Sequence, residues 1–260
     1  MKALFPYIGG KHKVAGNLIG FFPEHKCYVE VFGGAASVLF AKKPCKVEVL
    51  NDINGEIVNI FHVIRYHPDE FLKELTLITH SRQEFVNYHA QPGLTDIQRA
   101  ARRWFNLKVA FGGKGLNYGF ARSGSARLNN YAYETILQSH ARLDGVFVEN
   151  DDFEKIIRRY DGPYTFFFCD PLYWQTVDYG IKFLWSDHER LAKTLRNIKG
   201  KFLLTINCHP DIKRLYKDLP RMKFVTTYTV PIIHQKVFEL IIANYPLPKQ
   251  WCKRTPRHEN

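Results

Sequence analysis

Residues 165–174 read Thr-Phe-Phe-Phe-Cys-Asp-Pro-Leu-Tyr-Trp, and their order carries chemistry. The aromatic and Cys run has the composition of a short buried strand. It ends in Asp170, Pro171, Leu172 and Tyr173. A buried strand that delivers a carboxylate and rings at its C-terminal end describes an active-site edge of an α/β sheet. Pro171 has a fixed φ and no N–H to donate, so the carbonyls around it are held in one direction. A carboxylate beside a fixed carbonyl can accept hydrogen bonds from an amino group, and a Tyr can stack on a flat ring. That pair of capacities suits a nucleobase with an exocyclic NH2.

Two other clusters point to a ligand. Val31-Phe32-Gly33-Gly34-Ala35-Ala36 follows a strand-like run. Glycines there let a ligand approach the backbone, and the N-terminus of the next helix offers N–H groups. This is neither the G-x-G-x-x-G fingerprint nor a phosphate loop. Asp52 closes the second strand, where an acid grips ribose hydroxyls in folds of this kind. A glycine turn plus a second-strand acid indicates a nucleoside-containing cofactor. Near the N-terminus, Phe5-Pro6-Tyr7-Ile8-Gly9-Gly10-Lys11 supplies Tyr, Gly and Lys that could close over a small ligand.

These clusters need elements to hold them. Residues 27–32 and 46–50 read as strands, 38–41 and 57–66 as helices, and Pro68 opens a further helix to residue 75. The order strand, glycine turn, helix, strand, acid, helix is a βαβ unit, which predicts a parallel sheet. The alternation resumes with strands at 145–149, 164–169 and 201–206. A helix is expected at 154–160. Another is expected to start at Ser186, as N-cap, with Glu189 three residues on. Residues 224–230 and 237–244 form a closing antiparallel pair. The fold class is therefore α/β with a Rossmann-like, mostly parallel sheet and an antiparallel C-terminal hairpin.

Between these halves lies a helical stretch over residues 80–140, strongly basic at 99–108. It runs into the Gly- and Ser-rich loop 111–127, which carries Lys114, Arg122 and Arg127 among aromatic residues. A long glycine-rich loop in a compact enzyme is more often functional than idle. We divide the chain into residues 1–60 and 140–246 as one domain, 61–139 as an inserted helical subdomain, and 247–260 as a basic tail.

Composition bounds the class. The 260 residues are 45% hydrophobic and 24% charged, enough for a real core. Lys and Arg number 37 against 25 Asp and Glu, a formal charge of +12 that favours a polyanion, most simply nucleic acid. The five cysteines are dispersed, without C-x-x-C or metal-like spacing, which argues for a reducing compartment and against a disulfide framework. No signal-peptide pattern and no long apolar run is present, so a soluble, cytoplasmic protein is expected.

Taken together, the clusters resemble the Dam-like (D12 class) DNA adenine-N6 methyltransferases. Tyr-x-Gly-Gly-Lys (7–11), Val-Phe-Gly-Gly-Ala-Ala (31–36), Asn-Asp (51–52), Asp-Asp-Phe (151–153) and Asp-Pro-Leu-Tyr-Trp (170–174) carry the resemblance, in the family's order. It implies S-adenosyl-L-methionine as cofactor. Tyr7, Gly9 and Lys11 would lie near its methionine end, with Phe32 and Gly33 at the glycine turn. Asp52 would take the ribose and Phe153 the adenine, with Asp170 and Tyr179 as further contacts. It implies a flipped adenine in double-stranded DNA as substrate, with Asp170, Pro171 and Tyr173 catalytic. Arg102, Arg103, Lys108, Lys114, Arg122 and Arg127 are then candidates for the DNA contact. No metal is expected, and the protein would act as a monomer or weak dimer. The family's Asp-Pro-Pro-Tyr is Asp-Pro-Leu-Tyr here: both acceptors and the ring remain, while Leu172 frees φ and regains an N–H. Methylation of cytosine N4 or of RNA adenine stays open on these residues. So does a DNA-binding protein of the same fold with impaired catalysis.

Overall fold

The computed structural model describes residues 3–7, 9–110, 115–119, 130–176, 183–230 and 233–248. Tyr179, Lys114, Arg122 and Arg127, most of the loop 111–127 and the tail from residue 249 lie outside the described residues.

Seven strands form one sheet. They are β1 (Cys27–Glu30), β2 (Val47–Asn51), β3 (Val146–Glu149), β4 (Thr165–Cys169), β5 (Lys201–Asn207), β6 (Arg221–Val230) and β7 (Ile233–Ala243). Their order is β3-β2-β1-β4-β5-β7-β6. The first five run parallel, and β7 enters antiparallel to both β5 and β6. The order reverses between β1 and β4, so a crevice opens at their C-terminal ends.

Both faces of β4 are covered, which is why its sequence is a continuous apolar run without alternation. Phe166 and Phe168 enter one core with Tyr28 and Leu50, while Phe167 and Cys169 enter the other with Val29 and Val49. On the first face lie α1 (Ala15–Ile19), α2 (Ser37–Ala41), α3 (Gly55–Tyr66), α6 (Asp96–Val109) and α7 (Asn130–Arg142). The second face is covered by α8 (Phe153–Tyr160), α9 (Trp185–Arg196) and α10 (Pro210–Leu215). Helices α4 (Pro68–Leu77) and α5 (Arg82–Ala90) complete the helical segment, and α4 packs on α6. Helix α3 runs unbroken through residues 60 and 61, and α7 through 139 and 140.

Helix α6 is amphipathic, with Ala100, Ala101, Trp104 and Leu107 on its buried side. Trp104 Nε1 donates to the Leu4 carbonyl at 3.2 Å. Phe5 packs on Phe61 of α3 at 6.1 Å between ring centroids. These two contacts seat the N-terminal segment between α3 and α6, beside the crevice.

One helix start differs from the sequence expectation. Helix α9 begins at Trp185, and Ser186 is not its N-cap. The Asp187 carboxylate accepts the Leu184 N–H at 2.9 Å, so the acid does the capping from inside the first turn. Glu189 accepts instead from Trp185 Nε1 at 2.8 Å. Among the described residues no helix is long and apolar enough to cross a membrane.

Candidate active site

The C-terminal ends of β1, β2, β4 and β5 open into one cavity of about 570 Å³. Its wall includes Tyr7, Gly9, Lys11, Phe32, Gly33, Asp52, Phe153, Asp170, Pro171 and Tyr173. The structure thus gathers, from five separate stretches of chain, every catalytic and cofactor residue expected from the sequence except Tyr179, which lies outside the described residues.

Asp170 is the centre of the polar network. Its Oδ1 lies 2.7 Å from Lys11 Nζ and accepts the Thr205 hydroxyl at 2.6 Å. Lys11 is 5% exposed and also donates to the Tyr173 hydroxyl at 2.9 Å and to the Gly9 carbonyl at 3.0 Å. A second carboxylate, Glu239 on β7, lies 3.8 Å from the same ammonium. Burial raises the Asp170 carboxyl above its ordinary range, and the Lys11 charge and the Lys11 and Thr205 hydrogen bonds pull it back down.

The glycine turn is shaped by two acids. Gly34 has φ +49°, and a Cβ there would stand 2.8 Å from Tyr7 Cδ1, so the Tyr7 ring lies directly on the turn. A Cβ on Gly33 would meet Leu50 Cδ1 at 2.7 Å. Asp52 accepts the Gly34 N–H at 2.7 Å and the Asn54 N–H at 2.8 Å. Glu30, wholly enclosed at the end of β1, accepts the Tyr28 hydroxyl at 2.8 Å and the Leu39 N–H at 2.7 Å. The sequence leads one to expect the N-terminus of α2 to offer its N–H groups to a ligand, but the Leu39 N–H is already taken by Glu30. Glu30 caps it from within, because a buried N–H must find an acceptor. Burial pushes the Glu30 carboxyl up to about 8.

At the other end of the cavity Phe32, Phe153 and Phe183 form a triangle of rings, each pair 5.7 Å apart between centroids. Arg190 lies 4.5 Å over the Phe153 ring.

The segment after Asp170 is fixed by contacts from β5 and α10. Asn207 Oδ1 accepts the Trp174 N–H at 3.1 Å, and its Nδ2 donates to the Trp174 carbonyl at 2.8 Å. Trp174 Nε1 donates to Asp211 at 3.2 Å. This clasp supplies order to a loop in which Leu172 stands where a second proline would fix φ.

Glu30, Phe183, Thr205, Asn207 and Glu239 were not singled out in the sequence. Only Asn207 carried a signal, a polar residue ending a strand at the same sheet edge. The basic candidates on α6 separate. Arg103 lines the cavity, Arg102 donates to the Gln91 carbonyl at 3.0 Å and stacks 4.8 Å over Tyr88, and Lys108 is exposed.

The strand order, the antiparallel β7 and the cavity at the reversal point define a Rossmann-like methyltransferase. A family model for the D12 class N6 adenine-specific DNA methyltransferases matches residues 7–230, and the chain belongs to that family. It is similar to the type II methyltransferase M1.LlaDCHI of Lactococcus lactis subsp. cremoris, with 24% identity across 92% of this chain and 94% of that protein. It also matches the DNA N-6-adenine-methyltransferase of Escherichia phage P1, with 25% identity across 84% of this chain and 31% of the phage protein. A shorter match to the DNA adenine methylase of Serratia marcescens is 27% identical over 28% of this chain and 27% of that protein.

Proposed function

We propose that this protein transfers a methyl group from S-adenosylmethionine to N6 of an adenine flipped out of duplex DNA. The observation that carries the reading is Asp170, a carboxylate set at the cavity edge by Lys11 and Thr205 and followed by Pro171 and Tyr173.

The cavity's donor set fits the cofactor that the family implies. Phe32 and Phe153 offer rings to an adenine. Asp52 accepts two N–H bonds, and a carboxylate has about four acceptor positions, so it keeps capacity for ribose hydroxyls. Tyr7, Gly9 and Lys11 line the remaining wall. When bound, S-adenosylmethionine supplies a methyl group activated by a sulfonium.

The chain's own residues prepare the acceptor. The lone pair of adenine N6 is delocalised into the ring. Asp170 and the Pro171 carbonyl accept hydrogen bonds from its two N–H groups, return electron density to nitrogen and stabilise the positive charge that develops there, which is relieved when one N6 proton leaves after the methyl group has arrived. Lys11 and Thr205 fix the Asp170 carboxylate. Tyr173 stacks on the extruded base, which must leave the duplex to reach this depth. No covalent enzyme intermediate is required, and Cys169 is fully buried behind the motif.

The helical segment 61–139 is assigned to target recognition, with Arg102, Lys108, Lys114, Arg122 and Arg127 neutralising phosphates and the basic 247–260 tail adding charge. Contacts of this kind make affinity fall with salt. The test is to methylate duplex DNA with labelled S-adenosylmethionine and digest it to nucleosides. Label in N6-methyladenine is expected, and label in N4-methylcytosine would refute the adenine assignment.

A further inference from the structure

Three cations line the cavity among the described residues: Lys11, Arg190 and Arg103. Two are already neutralised. Lys11 lies between Asp170 and Glu239. Arg190 pairs with Asp152 at 2.8 Å and Asp187 at 3.3 Å. Arg103 has no carboxylate partner among the described residues, and its Nε is buried without a hydrogen bond. The guanidinium rests beside Gly115, where an added Cβ would stand 3.3 Å from Nη1. It lines the wall with Leu107, one helical turn on, at the Tyr7 end of the cavity. Its charge opposes the rise that burial imposes on the Tyr7 hydroxyl, which places it within electrostatic reach of that ring.

The other charged side chains of the wall are acidic, among them Asp52, Asp151, Asp152, Asp170 and Asp187. A ligand carboxylate entering such a cavity needs a cation that is not already spoken for. A guanidinium offers a planar two-pronged donor matched to a carboxylate. Tight packing of Trp104 against the N-terminal segment fixes α6 so that residue 103 faces the cavity and residue 102 faces α5.

We propose that Arg103 receives the carboxylate of the cofactor's methionine end, so that this residue of the inserted helical segment belongs to the cofactor site and not to the DNA interface. The proposal rests on reading the cavity as an S-adenosylmethionine site. It also couples the two parts of the molecule, since a bound cofactor would be gripped from the sheet edge and from α6 together.

The test is calorimetric titration of the full chain, without DNA, with S-adenosylhomocysteine and with 5′-methylthioadenosine, which keeps the nucleoside and lacks the carboxylate. Arg103→Gln should weaken S-adenosylhomocysteine by about tenfold or more and leave methylthioadenosine within about twofold. Arg103→Lys, which keeps the charge without the fork, should fall between. Equal weakening of both ligands, or unchanged S-adenosylhomocysteine affinity, overturns the assignment. A parent protein that binds neither ligand overturns the cofactor reading itself, and the proposal with it.

Discussion

Lys11 Nζ stands 2.7 Å from Asp170 Oδ1, joining a residue near the N-terminus to the end of β4. The ammonium is buried and shares its donors with Tyr173 and Gly9. The ammonium therefore opposes the upward shift that burial imposes on this carboxyl.

Activity should depend on the charge of Asp170. Protonation would remove the negative charge of Asp170 and turn one of its oxygens into a donor, and its carboxyl already titrates above the ordinary range, so kcat/KM should fall as pH drops through the raised value. Lys11→Met removes the charge that lowers it, so the acid limb of the profile should move to higher pH. An acid limb at the parental position would show that Lys11 does not set the ionisation of Asp170.

Gly34 is constrained twice, by its positive φ and by the Tyr7 ring. Gly34→Ala places a Cβ against the Tyr7 ring at a positive φ, costing on the order of 1–2 kcal/mol for the backbone alone. Cofactor affinity measured by calorimetry should fall with it. Gly16, in α1, has nothing within 4 Å of an added Cβ, and Gly16→Ala should raise stability by about 0.5–1 kcal/mol. Equal thermal stability for the two variants would contradict this account of the turn.

Asn207 holds Trp174 through both its oxygen and its nitrogen. Asn207→Ala should lower kcat by about tenfold to a hundredfold, since small displacements of reacting groups are costly. Adding Leu172→Pro should recover part of that loss by fixing φ. A double variant no faster than Asn207→Ala would mean that the clasp and the proline do not serve the same end.

Glu30 links stability to pH. Its folded carboxyl titrates at about 8 against an ordinary 4.5, so the folded state binds the extra proton between those values. The linkage then makes stability greatest below the ordinary value and lowers it as pH rises, by up to roughly 1.4 kcal/mol per unit. Glu30→Gln cannot ionise and should show a flatter decline between pH 5 and 8 in denaturant titrations. A parallel decline in parent and variant would assign the pH dependence elsewhere.

The sequence made legible what is local. The apolar run of β4, the glycine turn with Asp52 and the resumed strand and helix alternation each rest on neighbouring residues. What stayed hidden is long-range. Glu239 reaches Lys11 because antiparallel β7 pairs with β5 in a register that sets Glu239 opposite Asn207. Thr205 points at Asp170 from the adjacent strand. Glu30 reads as one polar position in an alternating strand, and only the return of α2 over it reveals a cap. Arg102 and Arg103 are adjacent letters, and helix geometry sends them to different surroundings.

The most direct measurement is methyl transfer to duplex DNA by Asp170→Ala beside its affinity for S-adenosylhomocysteine. With Asp170 as acceptor for the amino protons, N6-methyladenine formation should fall by about a thousandfold or more while cofactor affinity stays near the parental value. Methylation at the parental rate by that variant would contradict the mechanism.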